Sequence, residues 1–151
     1  MKTLPSLPST WLVGRKTRIR PLETRDVPLL KRFRLVIEPQ ATAYIVQTSR
    51  GRDIGALSLL VNGPQAAIAL GFADHSRFKD GSAADALSVM SVGAMRYLPL
   101  ERIEALVVAS RRDVVQAYQR AGFKREGTLR EVVRQRGAYR NAVMLSRLRN
   151  A

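Results

Sequence analysis

The feature that most constrains the fold is a run of twenty residues without a charged side chain, from 54 to 73. A run of this length is long enough to cross a membrane as a helix. Its centre, however, reads Asn62, Gly63, Pro64 and Gln65, which is typical of a turn and would break such a helix. We therefore predict two buried strands, 54–61 and 66–73, that form a hairpin in a protein without a membrane span.

Size and composition bound the class of protein. A chain of 151 residues fits one domain, and its mean hydropathy of −0.13 fits a soluble globular protein. The absence of cysteine excludes disulfides and thiolate zinc sites, and a single histidine excludes most imidazole metal sites. The first residues lack the apolar core of a signal peptide and contain Pro5 and Pro8. We predict a cytoplasmic protein with an N-terminal extension at 1–14 and one domain at 15–151.

Apolar periodicity predicts three helices and seven strands. The clearest helix, 80–98, repeats apolar residues at three- and four-residue spacing and ends before a proline. A shorter helix at 112–121 ends at Gly122, and Asp26 is the predicted N-cap of a helix at 26–34. The strands outside the hairpin have the alternation or the short apolar runs typical of sheets; they are 16–20, 43–48, 103–108, 128–134 and 142–148.

The stretch 107–130 combines a buried strand, a short helix that carries Tyr118, a stop at Gly122 and Phe123, and a new strand near Gly127. With the predicted final hairpin, this order resembles the C-terminal signature of the GNAT superfamily of acetyl-CoA-dependent N-acetyltransferases. The branch that it resembles most acetylates the N-termini of ribosomal proteins. The resemblance covers most of the chain, from residue 15 to residue 148.

The resemblance implies an α/β (α+β) fold, with a central mixed, mostly antiparallel sheet of about seven strands and three or four helices. The fourth and fifth strands, 66–73 and 103–108, are expected to splay apart. The second helix of the family is expected to be shortened or absent, because only 35–41, which includes Pro39, connects the first helix to the next strand. The exposed final strand leaves both a monomer and a homodimer open.

The resemblance also implies a binding site for acetyl-CoA. In the family, backbone N–H groups of a glycine-containing loop at a helix start bind the pyrophosphate, and the pantetheine arm pairs with the end of the fourth strand. The matching loop residues are Phe78, Lys79, Asp80, Gly81, Ser82 and Ala83, and the matching strand residues are Gly71, Phe72 and Ala73. Arg111 matches the start of the second conserved helix, which also contacts the cofactor.

Four positions depart from the family pattern. Phe78 replaces the usual arginine or glutamine, and Asp80 puts a carboxylate where phosphates are expected to lie, beside basic neighbours. Arg111 and Val114 replace an asparagine and a small polar residue. Arg111 can still bind a phosphate or a pantetheine carbonyl, whereas Val114 cannot form a hydrogen bond through its side chain. The alternative interpretation of 78–83 is a solvated loop in which Asp80 is the helix N-cap.

Tyr118 matches the tyrosine that acts as the acid in the family and donates a proton towards the leaving sulfur. The alternative is an amphipathic tyrosine of the core. No general base stands out: Asp74, His75 and Glu104 are candidates, and Glu104 is expected to point from its strand to solvent. An acceptor α-amine, with a pKa of about 7.7–8.0, is partly neutral without a base, which favours a protein N-terminus over a lysine.

Charge is distributed unevenly along the chain. The net charge is +14; residues 1–50 carry 10 basic and 3 acidic side chains, 51–110 carry 5 and 6, and 111–151 carry 11 and 3. This distribution indicates either a basic face that attracts RNA, the ribosome or an acidic protein, or a solubilising surface. Two hypotheses follow. The first is an N-acetyltransferase that acetylates a protein N-terminus or a small amine by direct attack in a ternary complex. The second is a GNAT-like basic binding module with weakened cofactor binding.

Overall fold

The computed structural model describes residues 12–150, which form eight strands and three α-helices. The strands are β1 (Leu12–Val13), β2 (Thr17–Pro21), β3 (Thr42–Thr48), β4 (Asp53–Asn62), β5 (Gln65–Phe72), β6 (Arg102–Val108), β7 (Lys124–Gln135) and β8 (Ala138–Leu148). The helices are α1 (Val27–Arg32), α2 (Ser82–Tyr97) and α3 (Arg112–Arg120), and short 3₁₀ helices precede α1 and α2 at Thr24–Asp26 and His75–Phe78. The predicted extension 1–14 includes β1; its residues 1–11 lie outside the described residues, so the domain boundary stays a prediction.

One mixed sheet contains all the strands of residues 12–150, in the order β1-β2-β3-β4-β5-β6-β8-β7. Every neighbouring pair is antiparallel except β5 and β6, which are parallel. The predicted mixed, mostly antiparallel sheet is confirmed, with the two-residue β1 as an additional strand. β7 begins at Lys124, four residues before the predicted start at 128. The prediction missed these residues because they lack the apolar alternation that marks a strand.

The uncharged run folds as the predicted hairpin. β4 and β5 pair along their length, and Asn62 lies opposite Gln65 next to the turn. β5 pairs with β6 only at its start, through Gln65, Ala66 and Ala67. Beyond Ala67 the two parallel strands separate, while β6 stays paired with β8 as far as Val108. The predicted splay between the fourth and fifth strands, which are β5 and β6 here, is therefore confirmed.

The two faces of the sheet are covered differently. α2 and α3 pack on one face, over a core that includes Leu57, Leu87, Met90, Ile103 and Leu145. On the other face, residues of α1 and of the segment 33–41 pack over a smaller core. α1 ends at Arg32 rather than at 34, and the second helix, expected to be shortened or absent at 35–41, is absent. This second face is therefore partly open beside β5 and β6. None of the helices within 12–150 has the length and apolar character needed to cross a membrane.

A buried ion pair holds the start of α1 against the sheet. Arg20 on β2 donates to both carboxylate oxygens of Asp26, at 2.7 and 2.9 Å, and both side chains are buried. The hydrogen bonds from Arg20 lower the pKa of Asp26 below its ordinary value, against the opposite effect of burial. Asp26 immediately precedes α1, as predicted for an N-cap. Its carboxylate, however, accepts from the backbone N–H of Glu23 at 2.8 Å rather than from one in α1.

Candidate active site

The separation of β5 from β6 leaves an opening in the sheet, and Tyr118 reaches it from the side of α3. Tyr118 is 3% exposed, and its ring packs edge to face on Phe123 with the centroids 5.2 Å apart. Its hydroxyl donates to the carbonyl oxygen of Ile68 at 3.5 Å, a long distance for an O–H···O bond. Burial raises the pKa of Tyr118, so the hydroxyl stays protonated at neutral pH. This weak bond leaves the proton available to a stronger acceptor.

Strand alternation decides which backbone groups of β5 face the opening. The carbonyl of Ile68 faces it, as its bond with the tyrosine hydroxyl shows. The carbonyl of Gly71 faces β4 instead, since it would lie 2.5 Å from a Cβ added to Gly55. Successive residues of a strand direct their backbone groups to opposite sides, so Leu70 and Phe72 share the direction of Ile68. Their N–H and C=O groups face a gap that β6 does not fill.

This geometry separates the roles of the predicted pantetheine-binding residues. Phe72 presents backbone groups to the opening, and Leu70, which sequence reasoning missed, does the same. Gly71 presents its backbone to β4, and its lack of a side chain has another reason: a Cβ there would lie 2.2 Å from the carbonyl oxygen of Phe33. Ala73 lies just beyond β5 and is exposed. The structure thus favours Leu70 and Phe72 over Gly71 as backbone partners for a ligand in the opening.

A cavity of about 310 Å³ lies at the same opening on the other face of the sheet. Ile68 lines it, so the cavity and the Tyr118 hydroxyl meet at one residue from opposite faces. Most of its lining is apolar, and its polar side chains are Glu38, Ser58 and Glu104. Sequence reasoning missed Glu38 and Ser58. The alternation of β4 would have placed Ser58 on the open face, but nothing in the sequence brings segment 33–41 to that face.

Glu104 lies where β5 and β6 part, opposite Ala67. The sequence predicted that it points to solvent; in the structure its side chain is 32% exposed and lines the cavity. Its Oε2 accepts from Arg102 Nε at 3.0 Å, and the same arginine also pairs with Glu126. Of the three candidate bases, Glu104 is the one that the fold brings to the opening.

The predicted pyrophosphate loop, 78–83, lies at the start of α2. Gly81 has a φ of +94°, a conformation that favours glycine, and α2 begins at Ser82. Phe78 is 4% exposed and packs edge to face on Phe72, with the centroids 5.1 Å apart. The Phe78 side chain therefore offers no group to a phosphate. Ala83 is also buried, so it can contribute only its backbone.

The carboxylate of Asp80 occupies the helix start. Its Oδ1 accepts from the backbone N–H of Ser82 at 2.8 Å, and its Oδ2 accepts from Arg77 at 3.2 Å. Burial alone would raise the pKa of Asp80, but hydrogen bonds from the hydroxyl and N–H of Ser82 and the charge of Arg77 outweigh it, so this pKa lies below its ordinary value. Lys16 Nζ donates to the Asp80 carbonyl at 2.7 Å, and Lys79 is exposed beside it. Three cations, Lys16, Arg77 and Lys79, therefore surround the loop, which contributes one carboxylate.

Asp85, in the first turn of α2, fixes the position of this loop relative to β2. Its Oδ2 accepts from the backbone N–H groups of Lys16 and Thr17, at 3.0 and 2.9 Å, and from the Thr17 hydroxyl at 2.7 Å. These bonds span about seventy residues of sequence, which explains why spacing alone did not place Lys16 at the helix start.

Arg111 lies in a cluster that joins the 3₁₀ helix at His75–Phe78 to the start of α3. Its NH2 group lies 3.0 Å from His75 Nδ1, and its guanidinium lies over the Phe78 ring, 5.5 Å from the centroid. His75 Nε2 lies 2.7 Å from Asp113 Oδ2. Because an arginine can only donate, Nδ1 accepts and Nε2–H donates to Asp113. Val114, the other departure from the family pattern, is buried.

Two of the predicted bases lie away from the opening. Asp74 caps the 3₁₀ helix by accepting from the hydroxyl and the N–H of Ser76, at 2.7 and 3.0 Å, and these bonds lower its pKa below the ordinary value. His75 is held in the cluster just described. Ile68 and Phe72 are separated by about 13 Å of strand, and both candidates follow Phe72. Neither therefore lies beside the Tyr118 hydroxyl.

Neither the protein-family models nor the curated proteins include a match to this sequence. Solved structures do match it. A GNAT-family acetyltransferase from Bacillus anthracis superposes with a TM-score of 0.78 at 14% identity, over 94% of this chain and 100% of that one. RimJ from Mycobacterium smegmatis, in complex with CoA-disulfide, gives 0.75 at 19% identity, over 89% and 82% of the two chains. A variant of spermidine N-acetyltransferase SpeG from Vibrio cholerae gives 0.75 at 16% identity, over 91% and 96%. Together with the parallel β5–β6 pair and its splay, these likenesses show that the chain has the GNAT fold.

Proposed function

We propose that this protein is an acetyl-CoA-dependent N-acetyltransferase that transfers an acetyl group to an amine in a ternary complex. The observation that carries the proposal is the opening between β5 and β6, where the Tyr118 hydroxyl and the cavity meet at Ile68 from opposite faces. Two reactants can approach such an opening from two sides and meet between the strands. The shared fold with acetyltransferases supports the same reaction class.

Groups that fit acetyl-CoA lie along the β5 edge of the opening and at the starts of α2 and α3. The backbone N–H and C=O groups of Leu70 and Phe72 lack a strand partner there and suit the amides of a pantetheine arm. The start of α2, with Lys16 and Lys79 beside it, suits a pyrophosphate, and Arg111 lies at the start of α3. Bound there, acetyl-CoA would supply the acetyl group as a thioester. Asp80, at the centre of the loop, is the group that opposes this fit.

The reaction requires the protein to hold a neutral amine and to donate a hydrogen bond to the leaving sulfur. The amine nitrogen forms a bond to the acetyl carbon, the carbon–sulfur bond breaks with its electron pair left on sulfur, and the amine releases a proton to water. Tyr118 donates its hydroxyl proton towards that sulfur. A thiol has a pKa of about 8.5, below that of a tyrosine, so complete proton transfer from Tyr118 is uphill. Tyr118 therefore stabilises the developing charge, a role worth about 10²-fold in rate.

The acceptor is an amine. A protein N-terminus, as the resemblance to enzymes that acetylate ribosomal proteins implies, is partly neutral at pH 7 and needs no dedicated base. A small amine is supported by the cavity, whose volume of about 310 Å³ and largely apolar lining suit a small molecule. A cytoplasmic location and the choice between monomer and homodimer remain predictions from the sequence.

Calorimetry with acetyl-CoA at moderate salt tests the proposal. We expect binding with a micromolar dissociation constant, followed by release of free thiol when an amine is added. The absence of heat at millimolar acetyl-CoA would refute the proposal, and binding without transfer to any amine would leave only a cofactor-binding protein.

A second candidate function, a basic module that binds RNA or an acidic protein, rests on the β7–β8 hairpin. Among residues 124–141 every side chain except Val133 is exposed, and β7 pairs with no strand other than β8 in the described part of the chain. The hairpin has two acidic residues, Glu126 and Glu131, against six basic ones, which are Lys124, Arg125, Arg130, Arg134, Arg136 and Arg140. This excess of positive charge on an element that packs on little else favours binding to a polyanion.

Neutralising Arg134, Arg136 and Arg140 together tests the second function. Each phosphate contact contributes about 0.7–0.9 to the slope of log affinity against log salt, so the triple variant should flatten that slope by about two units for an RNA. The matched control neutralises the exposed Lys31, Arg32 and Arg34 near α1. Equal effects of the two triple variants would show that net charge, not the hairpin, determines binding.

A further inference from the structure

The cavity on the open face contains a polar group that the fold does not use. Ser58 on β4 lines the cavity and is 6% exposed. Its hydroxyl forms no hydrogen bond with any residue between 12 and 150. The hydroxyl is not fully shielded from solvent, so it opens into the cavity, where it can bond a ligand.

Two carboxylates share this cavity, in a chain that has 26 basic and 12 acidic residues. Glu38 comes from segment 33–41, and Glu104 comes from β6. No lysine or arginine lines the cavity within the described residues. Arg102 engages Oε2 of Glu104, and no donor from 12–150 reaches its Oε1. The carboxylate of Glu38 likewise has no ion pair among these residues. The cavity is therefore a negatively charged pocket in a strongly basic protein, and it attracts cations.

The reacting amine alone does not account for two carboxylates. An amine attacks only when neutral, whereas a neighbouring carboxylate stabilises the protonated, unreactive form. Carboxylates at the acceptor side instead suit a second positive charge of the same molecule. The rest of the lining is largely apolar, including Leu60, Leu106 and Met144, and suits a chain of methylene groups. A polypeptide acceptor would bring a donor and an acceptor with every residue, and this lining has few groups to meet them.

We infer that the cavity selects aliphatic diamines: acceptors with one amine that reacts at the opening and a second, charged amine bound by Glu38 and Glu104. Ser58 accepts a hydrogen bond from the acceptor. This inference rests on the proposed function, because it assigns the reaction to the amine that reaches Ile68. It assigns specificity to three residues that touch the acceptor and leaves Tyr118 to act on the departing sulfur.

Putrescine and n-butylamine, which share a carbon chain and differ by one amine, provide the test. We expect kcat/KM for putrescine to exceed that for butylamine by about tenfold or more, as charge-assisted hydrogen bonds allow. In a Glu38→Gln, Glu104→Gln double variant this ratio of kcat/KM values should fall to about one, because the KM for putrescine rises. Ser58→Ala should weaken putrescine binding. Glu131→Gln, the same change on the distant hairpin, should keep the wild-type ratio.

Calorimetry of putrescine without acetyl-CoA separates this inference from the proposed function. Putrescine should bind the wild-type protein more tightly than butylamine and lose this advantage in the double variant. Because Glu104 also pairs with Arg102, the single variant Glu38→Gln, which breaks no ion pair in the structure, guards against a folding defect. Equal binding of the two amines, or an unchanged preference in both Glu38 variants, overturns the inference. Transfer to a peptide but not to putrescine also overturns it, and leaves the proposed function intact.

Discussion

Asp80→Asn should strengthen the binding of acetyl-CoA, although it alters a residue within the proposed site. The carboxylate of Asp80 lies at the start of α2, where its Oδ1 accepts from the Ser82 N–H at 2.8 Å. An asparagine keeps an oxygen at this position and can retain the cap, so the substitution removes the charge with little change of shape. A pyrophosphate bound to the same helix start would lie within reach of that charge.

The magnitude follows from the distance and the exposure. Two unit charges about 5 Å apart, at an effective dielectric constant of about 40–80, repel by about 1–2 kcal/mol, which is about five- to thirtyfold in affinity. The Asp80 side chain is 40% exposed, so the lower end of this range applies. Arg77 loses its partner, but an exposed ion pair contributes little to stability, and the freed guanidinium can turn to the phosphates.

Titration calorimetry of the wild-type and variant proteins with acetyl-CoA measures the effect, which should grow at low salt. Glu101→Gln is the matched control, since it removes one negative charge at the far end of α2, whose 16 residues span about 24 Å. Weaker binding by the Asp80 variant, or an equal gain from the control, would refute the placement of the pyrophosphate at 79–83.

Three further predictions test the site and the buried ion pair that holds α1 against the sheet. Gly81→Val places a β-branched residue at a φ of +94°, so acetyl-CoA binding should weaken by more than about tenfold; normal binding in calorimetry would place the phosphates elsewhere. Tyr118→Phe should reduce turnover by about 10²-fold at unchanged acetyl-CoA affinity, whereas a tyrosine with only a packing role would change the free energy of unfolding by about 0.5–1.5 kcal/mol and leave the rate unchanged. Asp26→Asn leaves Arg20 without its main partner and should cost about 3–5 kcal/mol in urea unfolding at pH 7. The pKa of Asp26 is lowered in the folded protein, so its stabilisation is present above its unfolded pKa of about 3.9 and is lost as pH falls through the folded value. The difference in unfolding free energy between wild type and variant should therefore shrink at pH 2. An undiminished difference there would contradict the ion-pair explanation.

Elements with a strong local pattern were predictable from the sequence. The uncharged run gave strands at 54–61 and 66–73, and the structure has them at Asp53–Asn62 and Gln65–Phe72. The long helix predicted at 80–98 is Ser82–Tyr97. In both cases, burial requires apolar residues in a recognisable pattern along the sequence, and this pattern made the prediction possible. The start of β7 has no such period, because its residues are exposed and are held by pairing with β8 and by the ion pair of Glu126 with Arg102. That pairing is a tertiary contact, which a local pattern cannot indicate.

Only those parts of the candidate site could be predicted that depend on where a residue falls within a helix, strand or loop. Tyr118 and Gly81 fall at the opening and at the helix start, as the family spacing implies. The spacing could not show that the Phe78 ring points inward and packs on Phe72, because the orientation of a side chain depends on its tertiary contacts. Nor could it show the cavity, which forms where segment 33–41, β4 and β6 come together and brings Glu38 within reach of a ligand.

The net charge of +14 does not decide between the two candidate functions, because they use separate parts of the molecule. The enzyme depends on the opening beside β5, whereas the binding module depends on the hairpin beyond Ala142, where β6 ends opposite β8. The hairpin turn at Gly137 lies about 17 Å along the strand from Ala142, about twice the screening length at physiological salt. Charges at the turn, such as Arg136, therefore act weakly on a ligand in the opening, whereas Arg140, two residues from Ala142, lies within about one screening length of it. Changes at Asp80 and at Arg136 should accordingly be independent, and one protein can have both functions.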